Sequence, residues 1–124
     1  MRTLQSRFDI LLAGVGGQGV VLASRVLAAA ALKAGLATKT SETMGMAQRE
    51  GSVTSHVRIG TQVYSPLISQ GQANLLVSLE PAEAVRNLAF LHHSGWLLVN
   101  TEAVIPVTVS AGLSKYNDDK IRAY

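Results

Sequence analysis

Four glycines and a glutamine near the start of the chain form a loop of the type that binds phosphate groups. The apolar run D-I-L-L-A leads into this loop, which contains Gly14, Gly16, Gly17, Gln18 and Gly19. In the pattern G-x-G-x-x-G, the first glycine permits a tight turn and the second lets the backbone approach a phosphate. The third lets the following helix pack closely on the strand, and the start of that helix favours an anion. The loop therefore predicts a strand–loop–helix unit and leaves open a dinucleotide, another phosphate-bearing ligand, or close packing alone.

An acidic residue about 20 positions beyond the glycine loop would support a dinucleotide, because a carboxylate at the end of the second strand binds the ribose. Glu42 is the only acid between residues 38 and 42, and it comes slightly late. NAD and FAD are therefore the weaker of the phosphate-bearing candidates.

A second group of polar residues alternates along a strand in the middle of the chain. Ser52, Thr54, His56 and Arg58 share one face of this strand, and two valines and an isoleucine lie on the other. This alternation is typical of a half-buried strand. The polar face either lines a ligand cleft or an interface, or it is a solvated edge of the sheet. Arg58, and Arg49 just before the strand, have the geometry to bind a phosphate or a carboxylate through two N–H groups.

Catalysis by this chain itself is not expected. His56 has the chemistry of an acid–base group, but the chain contains no cysteine nucleophile, Ser55 points to the opposite face, and no aspartate has a motif context. The adjacent His92 and His93 lie at a predicted helix end, where they satisfy the last carbonyls, and they do not share a helix face. We therefore predict no catalytic residue and no metal site.

The order of apolar segments predicts one α/β domain that positions these residues. The expected strands cover residues 7–13, 36–42, 52–59, 73–79 and 95–100, and the expected helices cover 17–34 and 80–92. The first three elements form a β-α-β unit, and a short strand over 62–64 completes a β-hairpin with the strand before it. Residues 103–109 are expected to form one more strand, and Pro106 indicates that this strand lies at an edge of the sheet. Residues 1–124 are therefore expected to form a single Rossmann-like domain with three layers and a mostly parallel sheet.

Composition narrows the class of protein. Of 124 residues, 48% are hydrophobic and 15% are charged, which suits one domain whose surface contacts a partner subunit or a second copy. The net charge of +3 comes from scattered basic residues, so no nucleic-acid partner is expected. The longest apolar stretch, residues 20–34, is interrupted by Arg25 and Lys33 and is too short to span a membrane. Residues 1–8 do not resemble a secretory signal, and we expect a soluble, cytoplasmic protein.

Four segments, in this order, resemble one enzyme family. They are G-V-G-G-Q-G-V (14–20), T-S-E-T-M-G-M-A-Q-R-E-G-S-V-T-S-H-V-R-I-G (40–60), Y-S-P-L-I (64–68) and L-E-P-A-E-A (79–84). Together they are similar to the gamma subunit or domain of 2-oxoacid (pyruvate, ketoisovalerate or indolepyruvate) ferredoxin oxidoreductases. Within that family they most resemble the small (beta) subunit of indolepyruvate oxidoreductase. The resemblance extends from about Phe8 to Val109, and the second segment is its most specific part.

The resemblance implies a subunit of a thiamine-diphosphate enzyme that decarboxylates a 2-oxoacid oxidatively, passes electrons through iron–sulfur clusters to ferredoxin and forms an acyl-CoA. The thiamine and cluster sites of that family belong to other subunits or domains, and the gamma domain packs against the thiamine-bearing part and is implicated in recruiting CoA. The implied surface for CoA phosphates or a partner consists of Gly14, Gly16, Gly17, Gln18, Gly19, Arg49, Ser52, His56 and Arg58.

Gamma domains of this family usually continue well beyond the position equivalent to Tyr124. The resemblance therefore implies that the C-terminal part of the domain, which contains a further helical segment, is missing. On that basis we expect the isolated chain to be inactive and an apolar face of its sheet to be exposed, which favours self-association. A free-standing nucleotide-binding module and a self-associating structural fragment remain the alternative interpretations.

Overall fold

The domain contains both helices and strands, as expected of the α/β class. The computed structural model describes residues 7–44, 51–61 and 63–101. Its strands are β1 (Arg7–Val15), β2 (Ala37–Met44), β3 (Ser52–Gly60), β4 (Ala73–Ser78) and β5 (Leu91–Val99); its helices are α1 (Val20–Lys33) and α2 (Pro81–Asn87), and a 3₁₀ turn covers Leu88–Phe90. No helix within these residues has the length and apolar character needed to cross a membrane.

All five strands form one mixed sheet in the order β2-β3-β1-β4-β5. β1 is parallel to β4, and β4 is parallel to β5. In contrast, β3 is antiparallel to both of its neighbours, β1 and β2. The predicted α/β class is confirmed, whereas the expected mostly parallel pairing is wrong, because half of the strand pairs are antiparallel.

The position of β3 is the main difference from the predicted topology. β1, α1 and β2 follow one another as expected, but β2 pairs with β3 and is not hydrogen-bonded to β1. The predicted hairpin is also wrong: residues 63 and 64 have no strand structure, and Gln62 lies outside the described residues. The physical reason is length. The nine residues of β3 pair with all nine of β1 on one side and with β2 on the other, so far more of its N–H and C=O groups are satisfied than a three-residue partner could satisfy.

The central strands of the sheet are packed on both faces, whereas Trp96, Leu97 and Leu98 of the edge strand β5 are exposed. On one face α1 covers β2, β3 and β1, and the buried cluster there consists of Ile10, Leu12, Val20, Val53 and Val57. The other face is covered by α2, the 3₁₀ turn and Ile68, and its buried cluster consists of Leu11, Ala13, Ile68, Ala73 and Leu76. Because successive residues of β1 enter opposite clusters, this strand is apolar from Ile10 to Ala13, as expected of a central strand.

The second half of the domain departs from the predicted boundaries. α2 ends at Asn87, and β5 already begins at Leu91, so the expected helix over 80–92 is too long. As a result, His92 and His93 lie in a strand and not at a helix end. The predicted edge strand over 103–109 lies outside the described residues.

A bulge explains why the beginning of β5 does not look like a strand in sequence. Ala73 and Leu75 of β4 are two residues apart, but their partners Leu91 and Trp96 are five apart. A Cβ on Gly95, within this bulge, would lie 2.9 Å from the carbonyl oxygen of Ala73. A glycine is therefore required there for the two backbones to approach.

Candidate functional site

The glycine loop connects β1 to α1, and its glycines serve different needs. Gly17 and Gly19 have φ angles of 90° and 92°, which residues with a Cβ rarely adopt. Gly14 instead allows a close contact: a Cβ there would lie 2.7 Å from Oε1 of Gln18 and 2.8 Å from Cγ2 of Val20. Two glycines therefore let the chain turn into the helix, and the first lets the start of that helix pack against β1.

Gln18 fills the position between the carboxyl ends of β1 and β4. Its Oε1 accepts a hydrogen bond from the N–H of Val15 at 2.8 Å, and its Nε2 donates to the carbonyl oxygen of Leu79 at 3.1 Å. The N–H of Leu79 also donates to the carbonyl oxygen of Ala13 at 2.8 Å. After β1 the chain continues towards one edge of the sheet, and after β4 it continues towards the other edge. The two connections therefore leave a crevice at the carboxyl ends of β1 and β4, which is where open α/β sheets bind nucleotides. Here the side chain of Gln18 closes that crevice.

A cleft of about 310 Å³ lies on the other side of the loop, towards β3. It is lined by Val15, Gly16, Gly17, Gly19, Val20, Val21, Leu22 and Val53. Among the described residues its walls are therefore glycine backbone and aliphatic side chains, without a charge. The N–H of Gly16 donates to the carbonyl oxygen of Gly51 at 3.1 Å, and the first turn of α1 contains no acid and no side-chain cap. The cleft thus offers apolar contact next to the N–H groups of a helix start, which suit a phosphate.

The candidate ribose-binding acid is not next to the glycine loop. Glu42 lies on β2, and β3 separates β2 from β1. Within β3, the partner of Glu42 is Ser55. A dinucleotide site requires the acid on the strand adjacent to the loop, so this arrangement argues against NAD or FAD in the manner of a Rossmann domain.

The polar side chains of β3 are buried or half-buried, and the interpretation of this strand as a solvated edge is wrong. β3 lies inside the sheet, and His56 and Arg58 are only 6% and 7% exposed. Both side chains face the chain segment that connects β3 to β4, which covers the sheet on the side opposite to α1. They therefore have their partners within the domain, and neither lines the cleft beside the glycine loop.

Arg58 joins the sheet to this connecting segment. Its Nε donates to Oδ1 of Asp9 at 3.1 Å, and its Nη1 donates to the carbonyl oxygens of Ser65 at 3.2 Å and Leu67 at 2.7 Å. Asp9 is the cross-strand neighbour of Arg58 and also pairs with Nε of Arg7 at 3.0 Å. The guanidinium thus compensates a buried carboxylate and donates to two backbone carbonyls of the connecting segment.

His56 holds the same segment through its imidazole ring. Its Nδ1 accepts a hydrogen bond from the N–H of Ile68 at 3.0 Å, and its ring meets that of Phe90 edge to face at 5.8 Å. Burial lowers the pKa of His56 below its ordinary value of 6.5, and the positive charge of Arg58 lowers this pKa further. The ring is therefore neutral near neutral pH, as an acceptor at Nδ1 must be.

We expect the stability of the domain to fall as the pH drops below about 6.5. The pKa of His56 is lower in the folded state than in the unfolded state, so below that pH the unfolded chain binds more protons than the folded chain. The free energy of unfolding therefore decreases by at most about 1.4 kcal/mol for each pH unit. Urea unfolding between pH 7.5 and 5.0 measures this loss. His56→Asn is the control, since its side-chain oxygen keeps an acceptor that does not titrate, and its loss should be smaller; equal losses would show that His56 is not responsible.

Ser52 is the one residue of this polar face that lies beside the glycine loop. It pairs with Val15 across the sheet, and its Oγ accepts a hydrogen bond from Nη1 of Arg86 at 2.8 Å. The same Nη1 lies 3.0 Å from Oε2 of Glu83. Glu83 and Glu80 are both buried, and Glu80 caps α2 through its bond from the N–H of Glu83 at 3.2 Å.

The residues predicted to form one surface therefore separate into two groups. The glycine loop borders the cleft on the α1 side, whereas the side chains of His56 and Arg58 lie on the opposite face of the sheet. Arg49 lies outside the described residues.

Sequence reasoning did not identify Asp9 as the partner of Arg58. The only sequence signal for it was an acid beside an apolar strand, since the contact joins residues 49 positions apart.

Comparison with known proteins gives consistent matches. Residues 9–124 match the family described as pyruvate ferredoxin/flavodoxin oxidoreductase. The chain is 50% identical to indolepyruvate oxidoreductase subunit IorB of Archaeoglobus fulgidus, over 89% of this chain and 54% of that protein. It is 34% identical to the pyruvate/ketoisovalerate oxidoreductases common subunit gamma of Thermococcus kodakarensis, over 76% of this chain and 52% of that protein.

A solved structure supports the same relationship. The gamma subunit of keto/oxoacid ferredoxin oxidoreductase from Geobacter sulfurreducens superimposes with a TM-score of 0.61 at 29% identity, over 80% of this chain and 56% of that one. The chain thus spans about half the length of the curated relatives that it matches.

Proposed function

The chain belongs to the pyruvate ferredoxin/flavodoxin oxidoreductase family, and we propose that it serves as a gamma-type subunit of a 2-oxoacid:ferredoxin oxidoreductase. The proposed complex decarboxylates a 2-oxoacid such as indolepyruvate oxidatively to an acyl-CoA. The observation that carries this proposal is the 50% identity to an indolepyruvate oxidoreductase subunit over 89% of the chain. Its proposed partner is the subunit that holds thiamine diphosphate and the iron–sulfur clusters and reduces ferredoxin.

The proposed role of this chain within the complex is assembly and recruitment of CoA. Thiolate ligands of a cluster do not come from these 124 residues, which include no cysteine. When bound, CoA supplies the thiol that accepts the acyl group. The cleft beside the glycine loop suits its phosphates and apolar portions through the backbone of Gly16, Gly17 and Gly19 and the side chains of Val21 and Leu22. Arg49 remains a predicted contact for a phosphate or for the partner.

The alternative of a free-standing dinucleotide-binding module has less support. The side chain of Gln18 occupies the crevice between β1 and β4, and β3 separates Glu42 from the loop. The glycine loop of this domain therefore lacks the open switch point and the adjacent acid of a Rossmann dinucleotide site.

Gly16→Val tests the cleft as the CoA site. We expect this substitution to weaken CoA binding at least about tenfold, or about 1.4 kcal/mol, because Gly16 lines the cleft and a branched side chain there crowds a phosphate. The measurement is titration calorimetry with CoA, on the chain assembled with its thiamine-bearing partner.

Ser94→Val is the control for Gly16→Val, since Ser94 is exposed on β5, far along the sheet from the loop. It should leave the affinity for CoA unchanged. Equal affinities of all three proteins would exclude the cleft as the CoA site. Recovery of the chain from its native cell without a thiamine-bearing subunit would contradict the role as a subunit.

A further inference from the structure

Glu83 is a buried acid that the domain satisfies only in part. The residue is 2% exposed, and its Oε2 lies 3.0 Å from Nη1 of Arg86. Its Oε1 is buried as well, but no hydrogen-bond donor reaches it among the residues that the structure describes. A buried oxygen without a donor lowers stability, and proteins keep such groups mainly where they serve a function. What Glu83 does in this structure is hold Arg86.

Arg86 is fixed at one end of its guanidinium and free at the other. Its Nη1 donates to Oγ of Ser52 on β3 and lies beside Oε2 of Glu83 on α2. Among the described residues the polar contacts of Arg86 all use Nη1, which leaves the N–H groups of Nε and Nη2 without an acceptor there. These two nitrogens form the fork that binds a phosphate or a carboxylate through two parallel bonds. Because the side chain is 64% exposed, an anion can reach it.

We propose that Arg86 is the anion-binding residue of a phosphate site at the start of β3, and that Glu83 positions it. Ser52 completes the site, since its hydroxyl accepts the bond from Arg86 and keeps its own O–H as a donor. The fork and the hydroxyl offer three donors in all, which suits the three terminal oxygens of a phosphate better than the two of a carboxylate.

This phosphate site is distinct from the cleft beside the glycine loop. The cleft lies on the α1 side of the sheet and is lined by backbone and aliphatic side chains, whereas Arg86 belongs to α2, on the opposite face. The site goes beyond the proposed function, because inorganic phosphate alone can test it on this chain.

Recognition at this site depends on orientation more than on net charge. The carboxylate of Glu83 offsets the charge of the guanidinium, but it also fixes the side chain before a ligand arrives, so less rotamer freedom is lost on binding. A lysine at position 86 would keep the charge and lose the fork. Arg25 is exposed on α1, and that helix contains no acid to orient it.

Titration of the 124-residue chain with inorganic phosphate at constant ionic strength tests the site. We expect phosphate to shift the NMR resonance of the Nε–H of Arg86. In calorimetry, Arg86→Gln and Arg86→Lys should each weaken phosphate binding at least about tenfold. Arg25→Gln is the matched control, because it removes the same charge from an exposed position and should leave the Kd unchanged.

Glu83→Gln separates positioning from a structural role. It should weaken phosphate binding about threefold or more, while the free energy of unfolding stays unchanged or rises, because a buried charge with an unpaired oxygen is gone and Arg86 remains in contact with water. Lower stability with an unchanged Kd for phosphate would show that Glu83 is structural and would overturn its assignment as the positioning residue.

Competition with CoA identifies the source of the phosphate, on the chain assembled with its thiamine-bearing partner. Displacement of inorganic phosphate by CoA, but not by pantetheine, which has no phosphate, assigns the site to a phosphate of CoA; independent binding of both assigns it to a separate anion. An Nε–H resonance of Arg86 that phosphate does not shift, or equal Kd values for wild type and Arg86→Gln, overturns the site and leaves the proposed function standing. Failure of the assembled chain to bind CoA counts against the proposed role in recruiting CoA and leaves the phosphate site standing.

Discussion

Replacing Arg58 with methionine is expected to lower the free energy of unfolding by about 3–5 kcal/mol, the usual cost of breaking a buried ion pair from one side. Asp9 is 1% exposed, and after this substitution its carboxylate keeps only the partly exposed Arg7 as the partner described here. The carbonyl oxygens of Ser65 and Leu67 also lose their donor, and the segment between β3 and β4 loses its strongest attachment. Urea unfolding gives the free energy, and hydrogen exchange at the N–H of Ile68 reports whether this segment opens first.

Arg7→Met is the matched control, since Arg7 pairs with the same carboxylate but its side chain is 40% exposed. An exposed pair contributes about 0–1 kcal/mol, so this variant should remain near wild-type stability. In addition, Asp9→Leu combined with Arg58→Met should be more stable than Arg58→Met alone, because the buried carboxylate that Arg58 compensated is then absent too. If Arg58→Met costs no more than Arg7→Met, the buried network does not stabilise the domain as described.

Gly14→Ala is expected to lower the free energy of unfolding by about 1–3 kcal/mol, the typical cost of overpacking. The added Cβ would lie 2.7 Å from Oε1 of Gln18 and 2.8 Å from Cγ2 of Val20. Gln18 can only move away by giving up its bonds to Val15 and Leu79. Val20 is buried at the start of α1, so its displacement loosens the helix from the sheet. Thermal and urea unfolding measure the loss.

Gly17→Ala distinguishes packing from backbone conformation. A Cβ on Gly17 meets nothing within 4 Å, so this variant loses only about 1–2 kcal/mol through its positive φ angle. The cost of Gly14→Ala should shrink in a Gln18→Ala background, because one of its two clashes is gone, while the cost of Gly17→Ala should not change. Equal coupling of both glycines to Gln18 would contradict the close contact at Gly14.

The elements near the glycine loop could be predicted from the sequence because their signals are local. The run from Asp9 through Gly19 contains an apolar strand, the glycines that turn the chain and the start of a helix, and the structure places β1 and α1 there. The polar alternation from Ser52 to Arg58 likewise identified β3 as a strand. Glu80 and Pro81 identified the start of α2, where the carboxylate of Glu80 caps the helix.

What the polar alternation could not reveal is the environment of those polar side chains. Arg58 and His56 look equally suited to a solvated edge, a ligand cleft or a buried network. The choice depends on Asp9, 49 residues earlier in the chain, and on Ile68, which lies beyond the end of the strand. Neither partner is marked by a local pattern, because a single acid or a single backbone N–H has no periodicity.

The sequence by itself thus determined the α/β class, the strand–loop–helix unit and the family, since these depend on short-range spacing and on residue identity. Only the tertiary structure decided that β3 inserts between β1 and β2, that Gln18 closes the crevice between β1 and β4, and that the remaining cleft faces α1. The physical reason is that strand pairing and burial are set by contacts between distant segments. A strand pairs with those neighbours that give every buried N–H group, C=O group and charge a partner.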